Sequence, residues 1–245
     1  MPVLEVVDVA KRFAGLAAVA GVSMTVEQGE RRLILGPNGA GKTTFFNLLG
    51  GDLRPNTGSI KLRGQEIARF STSARAQLGM GRTYQVLTLF ENDTLTQNVV
   101  LGLLGRRALR WRIVAPNSWT VRLRREALGY LTQVGLAHLA DKLVSSCSYG
   151  EKRRLELAIA LSQDPIVLLL DEPFAGLSQE EREGILSLIM KLPKSLTILM
   201  IEHDMDVALT FAEKIAIMQR GQIVVDGFRD DVLADDRTRE VYLGH

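Results

Sequence analysis

The segment Gly36-Pro37-Asn38-Gly39-Ala40-Gly41-Lys42-Thr43 constrains the fold and chemistry of this 245-residue chain more than any other. It satisfies the pattern G-x-x-x-x-G-K-[ST] in full. A buried strand is predicted just before it, at residues 32–35, and a helix that ends near residue 50 is predicted after it. In this context glycines let the backbone wrap around phosphate, while N–H groups and the helix N-terminus face its charge. Lys42 adds a cation at the β and γ phosphates, and the Thr43 hydroxyl is positioned for Mg²⁺.

The rest of the chain predicts a mainly parallel sheet. Residues 166–170 and 196–202 are apolar runs of strand length, and helices are predicted at 180–191 and 205–213. Strands that alternate with helices favour a parallel, doubly wound sheet. Strand signals at 4–9 and 22–26 suggest an antiparallel opening sheet, and residues 215–218 and 222–225 suggest a closing hairpin.

Helical patterns dominate the middle of the chain, from residue 87 to residue 161. We therefore predict a single α/β domain over residues 1–245 with a P-loop NTPase core and a mainly parallel sheet. The core would comprise residues 1–86 and 162–245 and carry an N-terminal antiparallel β subdomain. Residues 87–161 would form an inserted helical subdomain.

Two carboxylates follow the apolar run at residues 166–170, in the sequence Asp171-Glu172-Pro173. Successive side chains on a strand point to opposite faces, so the two acids have different neighbours and can take different roles. Asp171 suits the shell of a nucleotide-bound Mg²⁺, and Glu172 can orient and polarise a water in line with the γ-phosphoryl group. The alternative is that the acids only end a strand or cap the next helix. A complete phosphate loop nearby favours the catalytic interpretation.

The charge balance gives no reason to expect a nucleic-acid partner. The chain has 30 Lys and Arg against 28 Asp and Glu, whereas nucleic-acid-binding domains are usually strongly basic. Residues 106–125 differ, because they hold seven arginines, both tryptophans and no acidic residue. This segment can be a solvated helical face, a basic surface for lipid headgroups or a membrane partner, or, as a third alternative, a nucleic-acid contact.

Two further observations concern the compartment. The apolar runs fall far short of the roughly 18 to 20 residues needed to cross a bilayer, so we expect no transmembrane span. The single cysteine, Cys147, cannot form an internal disulfide, which fits a reduced cytoplasm.

Additional residues complete a resemblance to the nucleotide-binding subunit of ABC transporters, and the resemblance covers nearly the whole chain. Besides the phosphate loop and the Asp171-Glu172 pair, they are Gln85, the segment Ser148-Tyr149-Gly150-Glu151, and His203. In that family these positions are the glutamine loop, the signature and the switch histidine. The resemblance implies ATP and Mg²⁺ as ligands and ATP hydrolysis coupled to transmembrane transport as the activity.

The resemblance also implies a role for each residue. Gln85 would offer an oxygen to Mg²⁺ or to the attacking water, and His203 would contact the γ-phosphate. Phe13 would stack on adenine, as the family's early aromatic residue does. Thr44 would extend the phosphate loop. The implied catalytic residues are Glu172, Gln85 and His203, and the implied metal-holding residues are Thr43, Gln85 and Asp171.

The signature implies that two ATP-binding subunits act together. Ser148 and Gly150 lie at the start of a helix predicted at 151–161, where a hydroxyl and N–H groups can bind phosphate. In the family this helix completes the ATP site of the other subunit, which can be identical or homologous. The pair would drive transmembrane permease subunits through the helical insert and the Gln85 loop, with a substrate-binding protein as an indirect partner. The chain would lie peripherally at the cytoplasmic face of the cell membrane.

Four features resemble the branched-chain amino acid importer branch in particular: Tyr149 in the signature, residues 175–177, residues 201–205 and residues 241–244. That branch includes importers for hydrophobic amino acids, urea, amides and aromatic acids, so the cargo stays open. Two departures from common family patterns are Tyr149 and Glu151 in place of glycine and glutamine, and Ser178 where many members have aspartate. The second departure bears on coupling between two sites rather than on nucleotide binding at one.

Two other classes are compatible with the phosphate loop. A P-loop kinase would need an acceptor pocket and usually a mobile lid, and the signature and His203 argue against it. A soluble ABC ATPase acting in DNA repair or translation usually carries tandem cassettes or long coiled segments, and this sequence has neither heptads nor an internal repeat.

Overall fold

A computed structural model describes residues 2–85, 87–106, 117–203 and 209–243. Half of the arginine- and tryptophan-rich segment 106–125, residues 107–116, therefore lies outside the described residues. The helix predicted at 205–213 also lies partly outside them, and its described residues 209–211 are helical. The elements, in chain order, are β1 (Leu4–Phe13), β2 (Leu16–Val26), β3 (Arg31–Leu35), α1 (Lys42–Gly50), β4 (Thr57–Leu62), β5 (Gln65–Glu66), α2 (Thr72–Gln77), β6 (Met80–Arg82), α3 (Leu95–Arg106), α4 (Asn117–Gln133), α5 (Tyr149–Ser162), β7 (Val167–Asp171), α6 (Gln179–Met190), β8 (Thr197–Ile201), β9 (Lys214–Gln219), β10 (Gln222–Phe228), α7 (Arg229–Ala234) and α8 (Asp236–Leu243).

A six-stranded sheet in the order β10-β9-β3-β8-β7-β6 forms the centre of the fold. β3 pairs in parallel with β8 and β9, and β7 pairs in parallel with β6 and β8. β10 pairs antiparallel with β9 and forms the predicted closing hairpin. Every residue of β3, β7 and β8 is buried, as expected for parallel strands that are covered on both faces. The predicted fold class, a P-loop NTPase core with a mainly parallel sheet, is confirmed.

A second, antiparallel sheet in the order β2-β1-β4-β5 contains the N-terminal strands. Leu4 lies opposite Val26 at one end of the β1–β2 hairpin, and Phe13 lies opposite Leu16 at the other. Both strands are longer than the alternating patterns at 4–9 and 22–26 because they continue to the turn at Ala14 and Gly15, both of which have positive φ. The predicted N-terminal antiparallel sheet is therefore correct in type but too short in extent.

Helices α3, α4 and α5 lie in the chain between β6 and β7 and pack against one another. Their buried residues include Val99, Leu131 and Leu155, which belong to the same apolar cluster as the inner residues of β7 and β8. The proposed division at residues 87 and 161 remains a prediction. No helix within the described ranges is long and apolar enough to cross a membrane.

Helix α5 begins at Tyr149, two residues earlier than the predicted start at residue 151. Ser148 is the residue before the first turn, and its Oγ accepts a hydrogen bond from the Glu151 N–H at 3.2 Å. The Glu151 carboxylate accepts the Ser148 N–H at 2.7 Å in return. This reciprocal capping box satisfies two backbone donors and fixes the start of the helix.

Candidate nucleotide-binding site

The residues predicted to carry the chemistry follow the carboxyl ends of neighbouring parallel strands. The phosphate loop follows β3, Asp171 and Glu172 end β7, and His203 follows β8. Gln85 lies three residues beyond β6, which pairs with β7. Because the carboxyl ends of parallel strands meet at one edge of a sheet, this topology gathers residues that are up to 167 positions apart in sequence, from residue 36 to residue 203.

Close backbone packing fixes the shape of the phosphate loop. A Cβ atom added to Gly36 would lie 2.1 Å from the carbonyl oxygen of Met218, and one added to Gly41 would lie 2.2 Å from that of Ala18. Gly41 also has φ 100°, in the left-handed region that favours glycine, at the residue before α1. The Gly221 N–H donates to the Ala40 carbonyl at 2.8 Å, so the β9–β10 turn supports the loop.

A cavity of about 600 Å³ opens over this loop. Its lining includes most of the predicted phosphate-loop residues, namely Asn38, Gly39, Ala40, Gly41, Lys42, Thr43 and Thr44. Glu172 also lines it, so the cavity joins the loop to the carboxylate at the end of β7. Gly36 and Pro37 take part through their carbonyl oxygens, which accept hydrogen bonds from Lys42 Nζ at 2.6 and 3.1 Å.

Lys42 is a nearly buried cation at the base of the cavity, with 7% of its surface exposed. Burial lowers the pKa of its ammonium group, and the neighbouring carboxylates of Glu172 and Asp171 partly oppose that shift. The lysine is thus held between its own loop and two acids, where an anionic phosphate would add a further favourable partner.

Asp171 is a fully buried acid, with 1% of its side chain exposed. Its Oδ2 accepts a hydrogen bond from Arg82 Nη2 at 2.9 Å, whereas its Oδ1 is buried without a hydrogen-bond partner. Burial raises the pKa of the Asp171 carboxyl, and the Arg82 guanidinium opposes that rise. Arg82 also bonds Asp52 Oδ2 at 2.7 Å and Asn47 Oδ1 at 2.7 Å, so it joins α1 and β6 to the end of β7.

Glu172, Gln85 and His203 form a contact group at the edge of the cavity. Gln85 Nε2 donates to Glu172 Oε2 at 2.8 Å. His203 Nδ1 lies 3.8 Å from Glu172 Oε1, and the His203 backbone N–H donates to Glu202 Oε2 at 3.1 Å. Glu172 has φ 48°, an uncommon backbone conformation for a residue with a side chain. The structure therefore brings together all three residues predicted to be catalytic.

The signature residues do not belong to this cavity. Ser148 and Gly150 are at the N-terminus of α5, and neither is among the described residues that line the cavity. A Cβ on Gly150 would lie 2.3 Å from Glu181 Oε1, so the signature packs against the first turn of α6. That the signature serves the ATP site of another subunit stays a prediction.

Phe13 lies at the tip of the β1–β2 hairpin with 45% of its surface exposed. It is not among the described cavity-lining residues, but its cross-strand partner Leu16 is. Lys11 Nζ lies 5.4 Å from the centre of the Phe13 ring. Phe13 is therefore beside the mouth of the cavity rather than in its wall.

Sequence reasoning missed several residues of the site. Leu16, Ala17 and Ala18 of β2 and Arg220 of the β9–β10 turn also line the cavity. Small and apolar residues in a strand carry no pattern that would identify them. Arg82 is next to the predicted glutamine-loop segment, but a single arginine in a strand gave no signal that it would pair with Asp171.

The described part of the chain contains no group of three or more His, Cys, Asp or Glu side chains that could hold a metal ion by themselves. The available oxygens suit a different kind of site. Thr43 is exposed to the cavity and Asp171 Oδ1 lacks a partner, a combination that fits Mg²⁺ held mainly by nucleotide phosphates and water.

A phosphate loop that joins a parallel strand to a helix, with carboxylates at the end of another parallel strand of the same sheet, defines the class of P-loop NTPases. Comparison with known proteins defines the family. Residues 19–175 match the ABC transporter family. The high-affinity branched-chain amino acid transport ATP-binding protein BraF of Pseudomonas aeruginosa is 36% identical, over 99% of this chain and 98% of BraF. The lipopolysaccharide export system ATP-binding protein LptB of Haemophilus influenzae is 34% identical, over 100% of this chain and 98% of LptB.

The same family emerges from structural similarity. A crystal structure of a nucleotide-free ATP-binding cassette from an ABC transporter superposes with a TM-score of 0.88 at 28% identity, over 100% of both chains. The chain belongs to the ABC transporter family, in which it is an ATP-binding, ATP-hydrolysing subunit. The predicted family and enzyme class are confirmed.

Proposed function

We propose that this chain hydrolyses ATP to power the import of branched-chain or other hydrophobic amino acids by an ABC transporter. The observation that carries the catalytic part is the contact group at the cavity edge, where Gln85 and His203 both approach Glu172. The similarity to BraF over 99% of this chain supports the transport part.

The phosphate loop binds the phosphates of ATP. Its backbone N–H groups and the N-terminus of α1 face the negative charge, and Lys42 leaves its two loop carbonyls to contact the β and γ phosphates. Thr43, Asp171 and Gln85 would hold Mg²⁺, directly or through water. The chemistry that this ion would supply is positive charge against the phosphates during transfer.

Glu172 orients and polarises the attacking water. Its carboxylate lines the cavity, and its left-handed backbone conformation keeps it there at a local energetic cost, as is common at functional sites. Gln85 holds one carboxylate oxygen, and His203 lies close to the other, where it can report the presence of the γ-phosphate. Phe13 stacks on adenine at the cavity mouth, next to the wall formed by Leu16.

The second ATP-binding subunit, identical or homologous, supplies the signature that closes the site. Ser148 and Gly150 of this chain serve the partner's ATP in the same way, because the N-terminus of α5 presents a hydroxyl and N–H groups to phosphate. The common glutamine of the signature is replaced by Glu151, whose carboxylate is engaged in the capping box and in an ion pair with Lys142 at 2.8 Å. Its negative charge is thus balanced within the chain.

The remaining partners are permease subunits in the membrane and, indirectly, a substrate-binding protein. Exposed apolar side chains support a docking surface on the helical insert: Phe90 is 60% exposed, Leu101 41% and Leu143 45%. Phe90 follows Gln85 by only five residues, so a movement of the Gln85 loop on ATP binding or hydrolysis would be passed directly to that surface. The chain would then lie peripherally at the cytoplasmic face of the cell membrane.

A reconstituted transporter tests this proposal. The chain, with its permease subunits and binding protein in vesicles, should show ATP-dependent uptake of leucine, isoleucine or valine, and Glu172→Gln should abolish it. Uptake of urea, amides or aromatic acids instead would assign the related cargo class. ATP-dependent export of lipopolysaccharide, which the name of LptB gives for that relative, would contradict the importer assignment.

A further inference from the structure

Two side chains of the signature helix α5 bind the backbone of the glutamine loop. Arg153 Nη1 donates to the Tyr84 carbonyl at 2.9 Å, and Arg153 Nη2 donates to the Gln85 carbonyl at 2.8 Å. Glu156 Oε1 accepts the Tyr84 N–H at 2.7 Å. Three backbone polar groups of the loop, the Tyr84 N–H and the carbonyls of Tyr84 and Gln85, are therefore held by one helix from a different part of the fold.

These contacts are buried. Arg153 and Glu156 are 4% and 8% exposed, and their ion pair, Nη1 to Oε2, measures 3.1 Å. Burial raises the pKa of the Glu156 carboxyl, an effect that its hydrogen bond from Tyr84 and the charge of Arg153 oppose. A buried ion pair by itself is weak evidence of net stabilisation. Both members of this pair also form hydrogen bonds to the backbone of the glutamine loop, which points to a role in positioning that loop.

Arg153 also contacts the signature. Its Nη2 donates to the Tyr149 hydroxyl at 3.0 Å, and the guanidinium carbon lies 5.4 Å from the centre of the Tyr149 ring. The Tyr149 ring in turn packs on Gly176, where an added Cβ would lie 3.2 Å from Cε1 of the tyrosine. Gly176 is four residues after Glu172. The Arg153 guanidinium thus contacts both the signature and the glutamine loop, whose Gln85 side chain binds Glu172.

We propose that Arg153 is a positioning residue that holds the backbone at Tyr84 and Gln85, so that the Gln85 amide meets Glu172, and that it ties this geometry to the signature through Tyr149. The inference rests on the proposed roles of Gln85 and Glu172 in hydrolysis. In this arrangement Arg153 connects the signature, which serves the partner's ATP, to the Glu172 carboxylate of the same chain. This connection does not use residue 178, where Ser178 replaces the aspartate common in the family.

Lysine cannot replace arginine in this arrangement. A planar guanidinium donates in two fixed directions to two successive carbonyls, whereas an ammonium on a flexible stem is a single point donor. Arg153→Lys keeps the positive charge that pairs with Glu156 but loses the two fixed donor directions of the guanidinium. A displacement of the Gln85 amide by about 1 Å would lower kcat on the order of 10- to 100-fold.

The test is a double-mutant cycle for ATP hydrolysis in the complete complex with the permease subunits. It compares the wild type, Arg153→Lys, Gln85→Ala and the double variant, with kcat and KM for ATP measured for each. Arg237→Lys is the matched control, because Arg237 makes a two-bond contact to Asp235 at the exposed start of α8, away from the site and the helical insert. Its kcat should equal that of the wild type.

We expect Arg153→Lys to lower kcat while KM stays within about twofold of the wild type, since Arg153 does not line the cavity. In the Gln85→Ala background the same change should have no further effect, because the side chain that it positions is gone. Tyr149→Phe, which removes only the hydroxyl that Arg153 contacts, should lower kcat less and should also be silent in that background. If Arg153→Lys fails to fold, this variant decides the question.

Fold-changes that multiply in the double variant would overturn the inference, as would an Arg153→Lys enzyme with the kcat of the wild type. If Gln85→Ala itself leaves kcat unchanged, the proposed role of Gln85 is wrong and the inference falls with it. A strong Gln85→Ala effect beside a silent Arg153→Lys would overturn the inference alone.

Discussion

Removal of Arg82 should expose the energetic cost of burying Asp171. Arg82 and Asp171 side chains are 5% and 1% exposed, and the guanidinium supplies the hydrogen bond to Asp171 Oδ2. The other oxygen of Asp171 has no partner. Arg82→Met keeps an apolar side chain of similar length but leaves the carboxylate buried and unpaired.

The expected loss of unfolding free energy is about 3–5 kcal/mol, the usual result when one partner of a buried ion pair is removed. For a chain of this length each kcal/mol shifts the melting temperature by about 2–4 °C, so the midpoint should fall by roughly 6–20 °C. Urea unfolding followed by circular dichroism and a thermal melt would measure the two quantities.

The loss should depend on pH with a defined sign. Burial already raises the pKa of the folded Asp171 carboxyl, and removal of the Arg82 charge raises it further. A carboxyl whose folded pKa exceeds its unfolded value contributes stability below the unfolded pKa and loses it as pH rises through the folded pKa. The deficit of Arg82→Met should therefore be smaller near pH 5 than near pH 8.

A second substitution provides the control. Asp171→Asn added to Arg82→Met removes the unpaired charge, so the double variant should recover at least about half of the lost stability. A loss below about 1 kcal/mol in Arg82→Met, or no recovery in the double variant, would refute the account of Asp171 as a buried acid held by Arg82.

Two further predictions concern ATP. Lys42→Ala should weaken ATP binding, measured by calorimetry, by about 10- to 150-fold, which corresponds to the loss of one hydrogen bond to a charged group. Substitution of the exposed Lys191 by alanine is the control. Unchanged ATP affinity of Lys42→Ala would contradict the phosphate-loop assignment. Ser148→Asp should keep the helix cap, with unfolding free energy within about 0.5 kcal/mol of the wild type. Its negative charge should nevertheless lower ATP-dependent association of the two ATP-binding subunits by at least about tenfold, because it would face phosphate; light scattering that shows normal association would exclude Ser148 from that contact.

The core of the fold was predictable because its signals are local. The apolar runs, the glycine-rich loop and the alternation of strands with helices located β3, α1, β7, α6 and β8 within one or two residues. β6 was missed because it is only three residues long, Met80–Arg82, and its strand conformation depends on pairing with β7. A short edge strand of this kind has too few residues to show a period of two.

The site was predictable in its parts but not in its connections. The pattern of residues 36–43 and the acids after β7 pointed to phosphate and catalysis without any structure. The contact of Gln85 with Glu172 follows from the adjacency of β6 and β7, which sequence order does not reveal. Arg153 lies within the helix predicted at 151–161, but the sequence does not reveal its contacts, since the pairing of a helix side chain with a distant loop is a tertiary property.

The role of Glu172 is the most direct test of the account, and steady-state ATP hydrolysis in the assembled transporter measures it. The equivalent carboxylate of any second, non-identical ATP-binding subunit is first replaced, so that this chain carries the only hydrolytic site. Glu172→Gln in that background should still bind ATP but hydrolyse it about 10²- to 10⁴-fold more slowly, because it keeps the shape of the side chain and loses the carboxylate. An unchanged rate of phosphate release would contradict the assignment of hydrolysis to Glu172.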